Sequence, residues 1–331
     1  SERRPATETL KPWTGVQLET RNFDKNKKFV RPDFEINRKY NAVKEVWRYS
    51  SDANVISTPV VANDMVIFGN QNGDISGISI KDGTKKWEFK TKGSIFSSPA
   101  SLNGKVVFGS ADGNIYCLNS KTGKLIWKTK TGAAVLASPL ISGEDVFIGG
   151  SDYAFRKLNL NTGKIIWSYT ELSGPVVSTP ILYDGKVIFG AWDKNLYALD
   201  KNTGSLFWKW NNGSSIRNYS PAACIPVTHD GVVYIVAPDR YITAINITTG
   251  KTLWRNNNAT VRESIGISAD GKWVYGKTMQ DTIVAYKTSR EMQPPAWKMH
   301  AGFGYEHVPS MLIEKDGSVF FGTKNGVVYS I

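Results

Sequence analysis

The stretch that decides the fold is "TGKLIW" at residues 122–127, because versions of it recur along most of the chain. "TGKIIW" follows at 162–167, "TGSLFW" at 203–208 and "TGKTLW" at 249–254. Tryptophans at this position of the repeat stand 40, 40, 40, 41, 46 and 43 residues apart. They are Trp47, Trp87, Trp127, Trp167, Trp208, Trp254 and Trp297. A recurring period of this length indicates a repeat architecture in which each copy is one supersecondary unit.

Each repeat contains four runs of β-branched and aromatic residues, and turns rich in Asn, Asp and Gly separate the runs. In one copy, "SIFSSPASL" (94–102) is followed by "KVVFG" (105–109), "GNIYCLN" (113–119) and then "TGKLIW". Runs of this composition between turn residues are typical of β-strands. Four strands in about 40 residues predict one blade of a β-propeller.

The strand count predicts how the propeller closes. Six copies are complete between residues 50 and 299, and three further strands are predicted at 305–313, 317–323 and 326–331. The missing strand is predicted at the other end, in "AVKEVWRYS" (42–50). We therefore predict an all-β fold, a seven-bladed β-propeller of four-stranded antiparallel blades, with the last blade closed by the N-terminal strand around Trp47. Closure removes open sheet edges, which invite aggregation, and the seven tryptophans are predicted to be structural wedges between blades.

This repeat resembles the PQQ-like β-propeller family, whose pattern is roughly A-x-D-x-x-T-G-x-x-x-W, then S-x-P and an apolar strand ending in Gly. "ALDKNTGSLFW" (198–208) and "CLNSKTGKLIW" (117–127) match it closely, and the resemblance covers residues 43–331. The family includes quinoprotein dehydrogenases, the bacterial outer-membrane assembly lipoprotein, and repeat domains attached to kinases or phosphoesterases. The resemblance therefore implies the fold and leaves the function open.

The enzymatic branch of that family differs from this sequence. Its dehydrogenases typically have eight blades and two adjacent cysteines that stack on the quinone, whereas Cys117 and Cys224 lie in different predicted blades. We therefore expect no cofactor and no catalytic residue. A quinone-dependent oxidoreductase, or another enzyme that uses the site proposed below, stays the alternative function.

Bulk properties and isolated motifs exclude other classes. The net charge of +12 comes largely from lysines spread evenly along the repeats, so we expect no nucleic-acid partner. No run of 18 or more apolar residues exists, and we expect no transmembrane segment. "GKWVYGKT" (271–278) fits a phosphate-loop pattern, but it is predicted as a strand with no helix after it. The three histidines do not suggest a metal site.

The candidate site comes from comparing the phrases that open the blades. "SIFSSPASL" (94–102), "AVLASPLIS" (134–142) and "PVVSTPILY" (175–183) are small and apolar, whereas "IRNYSPAAC" (216–224) is not. Since the first strand of a blade lines the channel, aligning these phrases at the proline predicts a polar sector at the channel mouth in blades 5–7. Its predicted ligand-binding residues are Arg217, Asn218, Tyr219, Arg262, Glu263, Tyr305, Glu306 and His307, with Trp192, Asp239 and Arg240 in neighbouring turns.

Two interpretations of this sector remain open. Arg217 and Arg262 suit an anionic group, and the aromatic residues suit a flat or sugar-like face. Alternatively, pairs such as Arg262 with Glu306 plug the channel, because buried charges require partners.

We predict a non-catalytic bacterial binding or scaffold module that acts outside the cytoplasm, in the periplasm or at the cell surface, with its signal peptide outside this chain. It is expected to be a monomer with a protein, carbohydrate or anionic ligand on one propeller face. Residues 1–42 are predicted to be an extension or linker, and residues 43–331 the propeller.

Overall fold

The computed structural model describes residues 13–14, 42–43, 47–278, 280–305, 312–315, 318–322 and 328–330. In this part of the chain the strands form six four-stranded antiparallel sheets, one three-stranded sheet and one two-stranded sheet. Within each four-stranded sheet the strands are neighbours in chain order. The predicted all-β fold of antiparallel blades is therefore confirmed.

Each four-stranded sheet corresponds to one sequence repeat, and we number these sheets as blades 1–6. The first strands of blades 1 and 2, of blades 2 and 3, and of blades 5 and 6 contact one another, which places the first strands at the centre of the ring. From inner to outer strand, blades 1–3 are Val60–Ala62, Met65–Gly69, Asp74–Ser79 and Lys85–Lys90; Ala100–Leu102, Lys105–Ser110, Asn114–Asn119 and Leu125–Lys130; and Leu140–Ser142, Asp145–Gly149, Phe155–Asn159 and Ile165–Tyr169. Blades 4–6 are Ile181–Tyr183, Lys186–Gly190, Asn195–Asp200 and Leu206–Asn211; Val227–His229, Val232–Val236, Ile242–Asn246 and Thr252–Asn256; and Val261–Ile267, Trp273–Thr278, Gln280–Lys287 and Trp297–Tyr305.

The ends of the chain contribute the remaining strands. The three-stranded sheet contains Ile313–Lys315, Ser318–Gly322 and Val328–Ser330, and the two-stranded sheet pairs Trp13–Thr14 with Ala42–Val43. The three-stranded sheet fits an incomplete seventh blade. Residues 47–50, which follow Ala42–Val43, are described without strand structure. The closing strand predicted at 42–50 is thus not seen over its described C-terminal half.

The repeat tryptophans join each blade to the next. The indole N–H of six of them donates to a backbone carbonyl of the following blade: Trp47 to Ile80, Trp87 to Ser120, Trp127 to Leu160, Trp167 to Lys201, Trp208 to Ile247 and Trp254 to Ser289. The ring also covers the turn glycine of that blade. At Gly123, which has a φ of +68°, a Cβ would lie 2.6 Å from the Trp87 ring. Trp47 makes the same contact with Gly83 of blade 1, as expected for a tryptophan of a preceding blade.

Apolar cores lie between blades as well as within them. One cluster joins Ile67 and Trp87 of blade 1 to Ile95 and Phe108 of blade 2. Between blades 3 and 4 the rings of Phe155 and Phe189 stack with centroids 3.8 Å apart. Each blade therefore depends on its neighbours for burial, as is typical of repeat proteins.

The propeller has two distinguishable faces. We call upper the face that carries the turns between second and third strands and the loops between one blade's outer strand and the next blade's inner strand. These turns and loops contact each other, for example where Ala111 N–H donates to Ser94 O at 2.9 Å. The lower face carries the other turns, joined by bonds such as Ser120 N–H to Gly104 O at 2.9 Å. No helix in the described residues is long and apolar enough to cross a bilayer.

Candidate functional site

The inner strand of blade 5 begins later than the sequence alignment predicts. In blades 1–4 the inner strand starts directly after a proline: Pro59, Pro99, Pro139 and Pro180. In blade 5 it starts at Val227, after Pro226 and not after Pro221.

Two contacts across the blades establish the same register. Ser97, two residues before Pro99, accepts a hydrogen bond from Gly109 N–H at 3.0 Å. Cys224, two residues before Pro226, accepts the corresponding bond from Val236 N–H at 3.4 Å. Ala222, four residues before Pro226, also lies against Gly190. The alignment at Pro221 is therefore wrong by five residues, and "IRNYSP" lies in an inserted loop.

With the corrected register, the channel mouth is apolar through blade 5. The third residue before the proline defines an apolar collar made of Ile56, Phe96, Leu136, Val177 and Ala223. Ile56 is 59% exposed and Phe96 is 37% exposed, while the other three are half-buried. The sequence alignment placed the first four of these residues at the channel mouth but gave Asn218 in place of Ala223, so it missed that blade 5 continues the series.

The inserted loop is the longest of its kind in the described blades. It spans residues 212–226, whereas the equivalent loops before blades 2, 3 and 4 span 91–99, 131–139 and 170–180. It forms two 3-10 helices, Arg217–Tyr219 and Pro221–Ala223. The 46-residue interval between Trp208 and Trp254 was the sequence signal of this insertion.

Three side chains fasten the loop to its neighbours. Ser220 is buried; its Oγ accepts a bond from Lys194 N–H of blade 4 at 2.8 Å and donates to Arg217 O at 2.6 Å. Arg217 Nη2 donates to Ser173 O, before blade 4, at 2.9 Å. Asn212 Nδ2 donates to Asp239 of blade 5 at 2.7 Å. The loop thus bridges neighbouring blades while Ile216, Arg217, Asn218 and Tyr219 stay exposed.

The turns that carry Trp192, Asp239 and Arg240 belong to a hydrogen-bonding pattern that recurs from blade to blade. In each of blades 2–4 an aspartate of the turn between second and third strands accepts a backbone N–H from the loop before that blade: Asp112 from Lys92, Asp152 from Gly132 and Asp193 from Ser173. Asp239 holds the same place in blade 5 but binds Asn212 and Arg255 side chains. Asp239 is therefore already committed, whereas Arg240 is exposed at a turn position with a φ of +70°. Trp192 is half-buried, and its backbone N–H donates to Pro175 O at 2.9 Å.

These hydrogen bonds also shift the pKa of the aspartates that accept them. Burial raises the pKa of Asp112, but bonds from Asn114, Tyr116 and Lys92 N–H outweigh it, so the net pKa is lowered. For Asp152 burial again acts upward, and bonds from Arg156 and Gly132 N–H bring the pKa below its usual value. These aspartates are ionised anchors of the upper face, and their hydrogen-bonding capacity is directed at the protein itself.

The predicted residues of blade 6 lie at an irregular part of the same face. Val261 pairs with Thr278 and Ser264 with Lys277, so Arg262 and Glu263 form a bulge at the start of the inner strand. Tyr305 ends the outer strand opposite Gln280. Glu306 and His307 lie outside the described residues. The backbone therefore brings Arg262, Glu263 and Tyr305 to the face that also carries the inserted loop, and a joint site stays a prediction.

One sequence motif is resolved by the fold. "GKWVYGKT" contains the strand Trp273–Thr278, which pairs with neighbours on both sides. A phosphate loop needs free backbone N–H groups at a helix N-terminus. This stretch is a blade strand.

Comparisons with known proteins identify the family. A family model described as outer membrane protein assembly factor BamB matches residues 39–101 and 92–298. The chain belongs to this family. The predicted PQQ-like repeat family is thereby confirmed. No curated protein matches the chain.

Solved structures share the fold of this family. BamB from Moraxella catarrhalis is 18% identical, with a TM-score of 0.71 over 86% of this chain and 85% of that chain. Quinohemoprotein alcohol dehydrogenase from Comamonas testosteroni is 14% identical, with a TM-score of 0.67 over 86% of this chain and 66% of that chain. At these identities the likeness shows the fold alone.

The residues of this BamB-family chain do not fit the quinone site that the family's dehydrogenase branch implies. Cys117 is fully buried in the third strand of blade 2, where burial raises the pKa of its thiol to about 12. Cys224 is buried at the head of blade 5, where it accepts the Val236 N–H bond. The described residues contain no cluster of three His, Cys, Asp or Glu that could hold a metal ion.

Proposed function

We propose that this chain is a non-catalytic binding module that acts outside the cytoplasm and holds a partner protein on its upper face. The partner contacts the inserted loop of blade 5 and the apolar collar. The predicted residues of blade 6 flank this surface. Propeller faces suit such a role, because a rigid ring presents loops that vary freely.

The observation that carries the proposal is the anchored loop at residues 212–226. Ile216 is 49% exposed and Tyr219 is 37% exposed, although each lies within a few residues of the buried anchor Ser220. Side chains that a fold holds outward from a fixed backbone lose little conformational entropy on binding. Apolar and tyrosine side chains presented this way are typical of protein-recognition surfaces.

Two further observations favour a protein over a small molecule. The collar carries apolar side chains from blade 1 to blade 5, of which Ile56 and Phe96 are exposed, and exposed apolar patches mark interaction sites. The family description, outer membrane protein assembly factor, concerns assembly in the cell envelope, which agrees with an extracytoplasmic place for this chain.

Site-specific photo-crosslinking in cells of the source organism tests the proposal. We place the crosslinking residue at Tyr219, at Phe96 or, as the lower-face control, at the exposed Asn161. Tyr219 and Phe96 are expected to give the same discrete adduct in the envelope fraction, and Asn161 is expected to give none. Ile216→Asp should lower the Phe96 adduct about tenfold, as expected for a central contact.

The contrary outcomes are equally specific. Adducts at Asn161 that match those at Tyr219 would remove the upper face as the site. A rise in melting temperature with PQQ and Ca²⁺, lost in Arg217→Ala/Arg262→Ala, would favour the quinone-dependent alternative in place of the binding module.

A further inference from the structure

A second apolar surface lies on the circumference of the ring, away from the upper-face site. It consists of the two residues before the repeat tryptophan in blades 2–4, which we call the apolar rim: Leu125, Ile126, Ile165, Ile166, Leu206 and Phe207. All six are between 41% and 53% exposed.

A bulge in each outer strand explains why both members of a pair are exposed. In blade 2, Leu125 pairs with Leu118 and Trp127 with Cys117, so the ladder breaks at Ile126. The same break occurs at Ile166 and Phe207. In a bulge, two residues face one partner residue, and the extra residue stays unpaired.

Folding does not require apolar residues at these positions. Blade 1 has the same bulge, and there the pair is Lys85 and Lys86. In blade 5 the pair is Thr252 and Leu253. Since lysine is tolerated at the same geometry, the three apolar pairs require an explanation beyond the fold.

Bonds between the blades link the outer strands that carry neighbouring pairs. Trp127 Nε1 donates to Leu160 O at 2.8 Å, and Thr129 Oγ1 donates to Gly163 O at 2.7 Å. These bonds hold the outer strand of blade 2 against the turn that leads into Ile165. Trp167 Nε1 makes the corresponding bond to Lys201 O of blade 4 at 3.3 Å.

The charge around the rim has one dominant sign. The turns and outer strands that carry it, residues 119–130, 159–170 and 200–211, contain seven lysines and one acidic residue, Asp200. The lysines are all exposed, and none is ion-paired with another described residue: Lys121, Lys124, Lys128, Lys130, Lys164, Lys201 and Lys209. The neighbouring acids of the lower face, Glu144 and Asp184, bind Asn161 and Lys186.

These features select among the occupants. A partner strand would meet bulges and lysines, both of which obstruct edge pairing. A second copy of the chain would bring like charges together. An anionic lipid surface needs no hydrogen-bond register, accepts apolar side chains among the headgroups and attracts lysines.

We propose that the apolar rim of blades 2–4 rests on an anionic membrane surface. Ile165 and Ile166 of the middle blade insert most deeply, because the ring is convex and a flat surface meets the middle blade first. The lysines lie at the headgroups and keep their charges in water while their stems cover apolar surface. The upper face, which is roughly perpendicular to the circumference, stays free for a partner.

Vesicle flotation of the purified chain tests this proposal. Vesicles of phosphatidylcholine with about 30% phosphatidylglycerol are compared with pure phosphatidylcholine at about 0.1 M salt. Binding is expected to the anionic vesicles alone. Ile165→Ser/Ile166→Ser should weaken vesicle binding about tenfold, because binding strength scales with the apolar area that is buried in the membrane. Leu125→Ser/Ile126→Ser should weaken it less, because the pair of blade 2 inserts less deeply than the pair of the middle blade.

The lysines have a matched control. Lys124→Gln/Lys128→Gln/Lys164→Gln should also weaken binding, by roughly 100-fold, because each cation near an anionic surface contributes about a fivefold factor. Lys272→Gln/Lys287→Gln/Lys298→Gln in blade 6 changes the net charge equally and should leave binding within about twofold. Circular dichroism verifies that each variant is folded.

Two outcomes would overturn the proposal. One is a result against rim binding, either no binding to anionic vesicles or an equal loss of binding in both lysine variants. The equal loss would show that the net charge of the chain, and not the rim, drives vesicle binding. The other is a dimer in solution that Ile165→Ser/Ile166→Ser dissociates, which would make the rim an interface between copies.

Discussion

At the scale of single residues, the upper face is held by aspartates that the sequence presented only as turn residues, apart from Asp239, which is a predicted ligand-binding residue. Asp152 accepts bonds from Arg156 and from Gly132 N–H, and both it and Arg156 are nearly buried. The pattern Asp-x-Asn or Asp-x-Tyr was visible in the turns at Asp112, Asp193 and Asp239, whereas Asp152 is followed by Tyr153 and Ala154. The meaning of the pattern was not visible, because the bond to the preceding blade joins residues that only the ring brings together.

Asp152 should make the stability of the chain depend on acid pH. Its folded pKa lies below the usual value of 3.8, so its contribution is complete above that value and is lost as the pH falls through the lowered folded pKa. Asp152→Asn should lower the free energy of unfolding by about 2 kcal/mol at pH 7. Urea denaturation of the parent chain and of Asp152→Asn at pH 7 and at about pH 3 measures both the loss of unfolding free energy and its dependence on pH.

The matched control for this prediction is Glu171→Gln, because Glu171 is an exposed carboxylate of the same face. It should unfold like the parent chain at both pH values. If the parent chain and Asp152→Asn lose stability in parallel on acidification, Asp152 does not supply the pH dependence.

At the scale of the element, the inserted loop shows the limit of sequence alignment. "YSPAACIPV" (219–227) offers two prolines five residues apart, each after short or apolar residues. Local propensity does not choose between them. The choice is made by the sulfur of Cys224, which accepts a bond from Val236 N–H, and by the backbone of Pro221 and Ala222, which lies against Gly190.

The inserted loop should open more readily when its bond to the loop before blade 4 is removed. Arg217→Ala deletes the bond to Ser173 O, which contributes about 1 kcal/mol and thus about a fivefold change in local opening. Hydrogen exchange of residues 212–220 should accelerate by that factor, with the rest of the chain unchanged.

Arg240→Ala provides the comparison, since Arg240 is exposed in the next turn and no bond of its side chain is described. It should leave exchange in the loop unchanged. Equal acceleration in both variants would show that Arg217 does not anchor the loop.

At the scale of the whole molecule, stability rests on joints between blades. Trp47 bonds to Ile80 O at 2.8 Å and packs on Gly83, as Trp127 does with Leu160 and Gly163 in the interior of the ring. Trp127 is 8% exposed and Trp47 is half-buried. The two residues therefore test the same joint at two places.

Trp127→Ala should cost about 3–5 kcal/mol of unfolding free energy, and Trp47→Ala should cost less because it buries less. The set of blades that each substitution affects is more informative than its total cost. If the segment around Trp47 closes the ring, Trp47→Ala should reduce amide protection in blade 1 and in the strands Ser318–Gly322 and Val328–Ser330.

Hydrogen exchange followed by mass spectrometry gives this result directly. Loss of protection confined to residues 79–84 of blade 1 would show that Trp47 stabilises only its own contact. Trp127→Ala serves as the interior control and should affect blades 2 and 3.

The sequence by itself determined the blades of this protein. The tryptophan period, the turn glycines and the alternating apolar strands are local signals, and each is enforced by short-range geometry such as the positive φ of Gly123. Tertiary structure decided the register of blade 5, the commitment of Asp239 to Arg255, and the exposure of pairs such as Ile165 and Ile166 at bulges. The register of blade 5 depends on a bond between residues 12 positions apart, and Asp239 binds a residue 16 positions away. The exposure of the pairs depends on which ladder bond is missing, and no local pattern encodes any of these features.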